Sequence, residues 1–337
     1  MADTLEIAGI VIKPGEERRI EVPSVHLYTD TPMPIPVYVK RGKKPGPTLF
    51  VSAAIHGDEL NGIEIISRLL NSRSLGKIKG TLIAVPMVNA YGVLNQSRYM
   101  PDRRDLNRSF PGSSRGSLAG RIANIFLEEV VSKCDYGIDL HTGAIHRSNL
   151  PQIRANLDDP ATCEMAKAFG VPVLINADVR DGSMRQAAVE KGLTMLLYEA
   201  GEALRFDELS IRAGLRGVIN IMRHIGMLNK SRSKKTFAAP FIARNSGWVR
   251  APDSGIVKHL RQLGDYVKKG DRLAIISDPY GKMLDTVDTH VEGIIIGKQN
   301  IPLAQEGEAL YHIAYFNDPN CVVENLELMQ ENLIPGS

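Results

Sequence analysis

The order of apolar and polar positions divides the chain into segments with the lengths of strands and helices. Apolar runs rich in Val, Ile or Leu predict buried strands at 48–55, 80–88, 136–140, 171–176 and 193–198. Apolar residues at helical spacing predict helices at 59–72, 117–133 and 207–226, the second with Ser117 as its cap. Short β segments near 7–40 begin the chain. Strand–helix alternation predicts an α/β sheet with much parallel pairing.

The pattern changes after residue 229, where a basic, Ser-rich stretch is followed by a weak internal repeat. The segments 254–276 and 292–313 share an order of Gly, a β-branched run, a turn, a second Gly with an acid, and an alternating strand. Two similar halves predict a small, pseudo-twofold β barrel. A length of 337 residues also favours two domains. We predict a first domain over 1–228, a linker over 229–247 and a β barrel over 248–337.

Composition and charge exclude several classes of protein. Hydrophobic residues make up 43% of the chain and charged residues 23%, and the net charge of +3 includes no basic block of the kind that binds nucleic acid. Three cysteines, without a CxxC pattern, indicate neither a disulfide framework nor a thiolate zinc site. No apolar stretch approaches ~20 residues and the N-terminus does not resemble a secretory leader, so we expect no membrane association and a reducing, cytoplasmic setting.

Potential metal ligands follow two of the predicted strands. His56 and Glu59 lie in "HGDE", directly after the first apolar run, and His141 ends the third. Because the carboxyl ends of parallel strands gather ligands at one sheet edge, these residues are expected to meet. Two histidines and one carboxylate hold zinc with a position open for water. Asp139 could orient one histidine, although a strand-end hydrogen bond would also explain it, and each histidine could be a satisfied turn residue.

Two glutamates in "LTMLLYEAGE" compete for the role of proton acceptor. Glu199 directly follows a buried strand, and a glutamate beside an activated water can take its proton and pass it to a leaving amine. Glu202 lies beyond "AG", where we expect a solvated or helix-capping residue. We therefore favour Glu199 as the general base.

A polar loop at 97–112 carries several candidate substrate ligands. They are Arg98, Arg103, Arg104, Asn107 and Arg108. Guanidinium groups bind carboxylates through two parallel hydrogen bonds and stabilise developing oxyanions. A solvated loop with exposed arginines is the alternative, although the ending "NRSFPG" favours a defined turn.

Four motifs in order, "HGDE", "DLNRSFPG", "DLHTG" and "LYEAG", resemble the succinylglutamate desuccinylase/aspartoacylase family, which belongs with the zinc carboxypeptidases. The resemblance covers roughly 45–228. It implies a carboxypeptidase-like mixed, largely parallel sheet flanked by helices. It also implies Zn²⁺ held by His56, Glu59 and His141, with Glu199 as general base.

The resemblance also implies how the substrate is held. Asn107 and Arg108 would bind a substrate carboxylate, and Arg98 would polarise the scissile carbonyl. The loop between "RY" and "DLNR" is longer than usual in the family, so Arg103 could replace Arg98 in this role. Arg154 in "LPQIRAN" is a further candidate contact.

The C-terminal half-repeats resemble a lipoyl/biotinyl-type barrel, an all-β barrel-sandwich fold in which a hairpin lysine carries the cofactor. Lys282 stands 11 residues before Gly293, which fits that position. The preceding "SDPYG" does not match the usual acidic–small–Met approach. We therefore expect a structural lid or an oligomer contact rather than a cofactor carrier.

Together these features predict a zinc-dependent amidohydrolase that removes the acyl group from a small N-acyl amino acid. Homo-oligomerisation is left open. One alternative is a metallocarboxypeptidase acting on peptide ends. The other is a non-catalytic zinc or ligand-binding module.

Overall fold

The structure is a computed structural model that describes residues 4–177, 181–230 and 240–315. The strands are β1 (Leu5–Ile7), β2 (Ile10–Ile12), β3 (Glu17–His26), β4 (Pro32–Arg41), β5 (Lys44–Ala53), β6 (Lys79–Val85), β7 (Tyr136–Gly143), β8 (Arg147–Ala155), β9 (Val173–Asn176), β10 (Thr194–Glu202), β11 (Phe241–Ala243), β12 (Asn245–Arg250), β13 (Gly255–His259), β14 (Tyr266–Val267), β15 (Arg272–Ser277), β16 (Met283–Asp288), β17 (Gly293–Gln299), β18 (Leu303–Ala304) and β19 (Ala309–Tyr315). The α-helices are α1 (Asn61–Leu70), α2 (Ala90–Leu94), α3 (Leu118–Glu129), α4 (Pro160–Phe169), α5 (Met184–Glu190) and α6 (Glu208–His224).

A mixed sheet organises the molecule and confirms the predicted α/β architecture. Its central strands run in the order β6–β5–β7–β10, and all three of these pairings are parallel. Antiparallel strands β4 and β3 extend one side, while β8 pairs with β10 on the other. The parallel centre brings the carboxyl ends of β5, β7 and β10 to one edge, where the motifs of the sequence are concentrated.

Helices cover both faces of this sheet, because each presents one apolar face. Helices α1 and α6 pack together over one face, with Ile65 and Ile221 fully buried. Helix α3 packs on the other, where Phe126 meets Phe50 edge to face with ring centroids 6.2 Å apart. The Ser117 cap is confirmed, since its hydroxyl accepts a hydrogen bond from the Gly120 N–H at 3.2 Å.

The C-terminal strands show the symmetry that the half-repeat predicts. In each half, the first strand pairs with the third, as β13 with β15 and β17 with β19. The first strand of each half also pairs with the short middle strand of the other, as β13 with β18 and β17 with β14. This reciprocal exchange gives an antiparallel unit of two sheets around its own apolar core.

Strand β8 joins the two parts of the molecule and was missing from the sequence-based elements. It pairs with β10 along one edge, and Asn149 at its start is opposite Gly297 of β17. Strand β11 likewise lies in parallel beside β9. The division into domains at 229–247 stays a prediction, and residues 231–239 of it lie outside the described residues.

Among the described residues, no helix combines the length and the apolar character needed to cross a membrane.

Candidate active site

Three predicted metal ligands converge at the carboxyl edge of the sheet. His56 and Glu59 lie in the loop between β5 and α1, and His141 lies near the end of β7. Nδ1 of His56 is 2.7 Å from Glu59 Oε1, and Nδ1 of His141 is 2.8 Å from Glu59 Oε2. All three side chains are buried, and one potential ligand atom from each lies within 4.8 Å of the others.

The outer nitrogen of each imidazole contacts a second carboxylate. His141 Nε2 lies 2.6 Å from Asp139 Oδ2, and Ser52 donates to the other Asp139 oxygen at 2.7 Å. His56 Nε2 lies 3.1 Å from Asp105 Oδ1. Asp139 therefore orients His141, whereas Asp105 was missed, because its contact with His56 spans 49 residues and depends on how the polar loop folds back.

Charge pairing dominates the electrostatics of this cluster. Burial works to lower the pKa of His56, yet the carboxylates of Glu59 and Asp105 raise it above the ordinary histidine value. Burial likewise opposes ionisation of His141, but Asp139 and Glu59 raise its pKa well above that value. Burial alone would raise the pKa of Glu59, and the two imidazoles instead hold it far below its usual range.

The donor set fits a zinc ion. Two imidazole nitrogens and a carboxylate form a set that zinc accepts, and carboxylates that hold the outer histidine nitrogens are the usual supports of such ligands. Because the Nε2 atoms of His56 and His141 contact Asp105 and Asp139, their Nδ1 atoms are the ones that face Glu59. A cation at this centre would replace the protons that otherwise balance the Glu59 charge.

Arg98 lies against this cluster, whereas Arg103 does not. The Arg98 guanidinium donates hydrogen bonds to Glu59 Oε1 at 3.3 Å and to Asp105 Oδ2 at 3.0 Å. Arg103 is exposed, has a φ of +63°, and does not line the cavity into which the ligand cluster opens. Geometry therefore favours Arg98 as the arginine nearest the ligand cluster.

Asn107 and Arg108 lie in a short 3-10 turn that Asp105 caps, because its side chain accepts a hydrogen bond from the Asn107 N–H at 2.8 Å. Asn107 is buried, and its side-chain oxygen accepts a hydrogen bond from the Met184 N–H at 2.9 Å. Arg108 extends outward and donates to the Asn107 carbonyl at 2.5 Å. Both residues line the same cavity as the ligand cluster.

Glu199 lies beside His141, because the two residues are register partners in the parallel pair of β10 and β7. Its Oε2 accepts a hydrogen bond from Asn149 Nδ2 at 2.9 Å and lies 3.2 Å from Nε of Arg154. Glu199 lines the cavity and keeps part of its side chain accessible. Arg154 also lines the cavity, so the structure brings it to the site that the sequence suggested.

The expectation that Glu202 is solvated or helix-capping is wrong. Strand β10 has an irregularity after Glu199, and Gly201 adopts a φ of +74°, so the strand continues and turns Glu202 inward. The buried carboxylate accepts hydrogen bonds from the His146 N–H at 3.1 Å and from Asn300 Nδ2 at 2.7 Å. Ser148 adds a longer contact. Glu202 thus links β10 to the C-terminal domain.

The ligand cluster opens into a cavity of about 640 Å³ that both parts of the molecule line. The C-terminal wall is built around Trp248, which stacks on His312 with centroids 4.6 Å apart. The guanidinium of Arg147 lies 5.3 Å from the Trp248 ring centroid. Arg185 and Arg244 add further positive charge. Sequence reasoning missed these residues, because none lies in the four motifs or at the end of one of the five predicted strands.

Lys282 lies apart from this cavity. It ends an exposed turn in which its backbone N–H donates to the Asp278 side chain at 2.9 Å. It does not line the cavity, so the contribution of the C-terminal domain to the site comes from β12 and β19 instead.

Comparisons with known proteins agree with this fold. Residues 45–225 match the family model of the succinylglutamate desuccinylase/aspartoacylase catalytic domain. N-alpha-acetyl-L-2,4-diaminobutyric acid deacetylase of Halomonas elongata is 31% identical over 255 residues, which cover 72% of this chain and 74% of that protein.

Two solved structures have the same architecture at lower identity. The product-bound ectoine utilization protein EutE (DoeB) of Ruegeria pomeroyi superposes with a TM-score of 0.81 at 23% identity, covering 90% of this chain and 97% of that one. A succinylglutamate desuccinylase/aspartoacylase of Rhodobacter sphaeroides gives a TM-score of 0.78 at 24% identity, with the same coverage.

Proposed function

Because the chain belongs to the succinylglutamate desuccinylase/aspartoacylase family, we propose that it is a zinc-dependent amidohydrolase that removes the acyl group from an N-acyl amino acid. The observation that carries the proposal is the buried cluster of His56, Glu59 and His141 at the base of a cavity, with Glu199 on the neighbouring strand. The deacetylase activity named for the Halomonas relative supports the amide as the bond cleaved.

Zinc would be held by the Nδ1 atoms of His56 and His141 and by the carboxylate of Glu59. When bound, it supplies a Lewis acid that polarises a carbonyl oxygen and makes a water molecule more acidic. Asp105 and Asp139 keep both imidazoles in the orientation that directs Nδ1 inward.

Glu199 carries the proton transfers. Its carboxylate accepts a proton from the attacking water as the new carbon–oxygen bond forms. The same proton then passes to the amide nitrogen as the carbon–nitrogen bond breaks. The products are a carboxylic acid and a free amino acid, and Glu199 returns to its starting state.

Arginine and asparagine side chains of the polar loop orient the substrate. The guanidinium of Arg108 forms a bidentate pair with the substrate carboxylate, and Asn107 adds a polar contact. Arg98, held between Glu59 and Asp105, directs positive charge to the site of the developing oxyanion.

The C-terminal domain, which we place at 248–337 after a linker at 229–247, closes one side of the cavity. Its Trp248 and His312 form a wall that leaves room for a small molecule. This enclosure favours an N-acyl amino acid over the end of a peptide chain.

A turnover assay with zinc-loaded protein tests the proposal. N-acetyl-, N-succinyl- and N-aspartyl-type amino acids and a set of short peptides would be incubated with the enzyme, and the released amine measured. We expect hydrolysis of at least one N-acyl amino acid. Turnover of peptides alone would identify a carboxypeptidase, and no turnover of any compound would favour a binding module.

A further inference from the structure

Strand β8 places two polar groups on the same oxygen of Glu199. Asn149 Nδ2 donates a hydrogen bond to Oε2 at 2.9 Å. Nε of Arg154 lies 3.2 Å from the same oxygen, which is close enough for an ion pair. The Nε–H group does not form a hydrogen bond with this oxygen. Among the described residues, none donates a hydrogen bond to the second oxygen, Oε1.

The strand register explains why both groups reach the same carboxylate. Glu199 is opposite Gln152 in the antiparallel pair of β10 and β8, and Arg154 is opposite Leu197. Beyond an irregularity in this pairing, where β8 carries one extra residue, Asn149 is opposite Gly201. Arg154 and Asn149 therefore approach Glu199 from its two sides along the strand.

A neighbouring glycine leaves room for the Asn149 amide. Asn149 lies between Gly201 of β10 and Gly297 of β17, neither of which has a side chain. A Cβ atom on Gly297 would lie 3.0 Å from Asn149 Oδ1, so this glycine leaves the space that the amide oxygen occupies. The amide nitrogen is the end that faces Glu199.

We propose that Asn149 and Arg154 are positioning residues that hold Glu199 through Oε2 and leave Oε1 to exchange protons with the substrate. This inference rests on the proposed role of Glu199 as general base. Asn149 supplies the directional hydrogen bond, and Arg154 supplies a compensating positive charge. Neither residue gains or loses a proton: water gives its proton to Oε1, and Oε1 gives it to the leaving nitrogen.

A different role for Arg154, as a ligand of the substrate carboxylate, makes an opposite kinetic prediction. A substrate ligand that is lost raises KM, whereas a displaced general base lowers kcat. Arg154 contacts Glu199 in the substrate-free protein and has only 17% of its side chain exposed, which favours the positioning role.

Steady-state kinetics of zinc-loaded Asn149→Ala test the proposal on the best N-acyl amino acid. Hydrogen bonds to charged groups are strong enough that kcat should fall roughly 10- to 100-fold. KM should stay within about threefold of wild type, and zinc content should be unchanged. In a Glu199→Gln background the same substitution should cause no further loss, because the residue acts only through Glu199.

Substitutions of Arg154 test the proposal independently of Asn149. Arg154→Met should lower kcat with little effect on KM, and Arg154→Lys should recover most of the rate, because it restores the positive charge. Ser148→Ala is the matched control on β8, since Ser148 contacts Glu202 rather than Glu199 and does not line the cavity. Its kcat should match that of wild type.

The outcomes separate this inference from the proposed function. If Glu199→Gln retains full activity, the general-base assignment itself is wrong. If Glu199→Gln is impaired but Asn149→Ala keeps the wild-type kcat, or adds its full loss in the Glu199→Gln background, positioning by Asn149 is overturned. An increase in KM alone for Arg154→Met would make Arg154 a substrate ligand.

Discussion

At the scale of single residues, the Glu59 carboxylate organises the ligand cluster. Its two oxygens meet His56 and His141, and Oε2 also accepts the Thr142 N–H at 3.1 Å. Arg98 contacts Oε1 from the polar loop. A charged group buried with this many partners has a fixed orientation, so each of these contacts helps to hold the ligand atoms in place.

His141→Ala should remove most of the bound zinc, because one of only three protein ligands is lost. Metal analysis of the purified protein, normalised to its concentration, measures this directly. His224→Ala is the control, since His224 lies exposed at the end of α6. Equal zinc content in His141→Ala and wild type would contradict the assignment.

Arg108→Lys keeps the positive charge but loses the planar pair of donors that matches a carboxylate. We expect KM for the best N-acyl amino acid to rise about tenfold, the equivalent of roughly 1.4 kcal/mol of binding. Arg103→Lys serves as the control, because Arg103 does not line the cavity. An unchanged KM in Arg108→Lys would remove Arg108 from the substrate site.

At the scale of elements, the predictability of each strand depends on where its side chains point. Strands β5, β7 and β10 were predicted because they are buried on both faces and read as continuous apolar runs. Strand β8 was not, because polar side chains such as Asn149 and Arg154 face the cavity and interrupt its apolar pattern.

The site residues that could be predicted from sequence are likewise those that follow a recognisable apolar strand. His56, His141 and Glu199 could be proposed from sequence because each stands at the end of a recognisable strand. The contacts of Asp105 and Asn149 depend on the path of a loop and on the register of β8 against β10, which local patterns do not encode. Glu202 was misjudged for a similar reason, since an irregularity in β10 turns it inward.

Glu202→Gln tests how much the hydrogen bonds of Glu202, which connect β10 to the C-terminal domain, contribute to stability. Its amide nitrogen would face donors from His146 and Asn300, so we expect the free energy of unfolding to fall by about 1–3 kcal/mol. Urea denaturation of the full chain measures the change. Glu306→Gln, on an exposed turn of the barrel, should leave the unfolding midpoint unchanged. An equally stable Glu202→Gln would show that the link contributes little.

At the scale of the whole molecule, the cavity joins the two halves and carries an excess of positive charge. Its arginines are Arg98, Arg108, Arg147, Arg154, Arg185 and Arg244, and its acids are Glu59, Asp139 and Glu199. The C-terminal domain contributes Trp248 and His312, and the segment before it contributes Arg244, so the charge and shape of the cavity depend on both halves.

The positive charge of the cavity predicts that, among substrates of equal size, the more negatively charged one is hydrolysed more efficiently. N-acetyl-L-glutamate should have a higher kcat/KM than N-acetyl-L-glutamine, because the two differ chiefly by one negative charge. Raising the salt concentration should narrow the difference by screening. A higher kcat/KM for the neutral compound, or for an N-acetyl amino acid with a cationic side chain, would contradict the inference from the lining charges.

We expect hydrolysis to depend on a metal held by the His56, Glu59 and His141 cluster. The most direct test is to measure amine release from the best N-acyl amino acid by one protein sample before chelation, after chelation and dialysis, and after zinc is added back. We expect the rate to disappear with the metal and to return with about one zinc per chain. Full activity in the metal-free protein would contradict it.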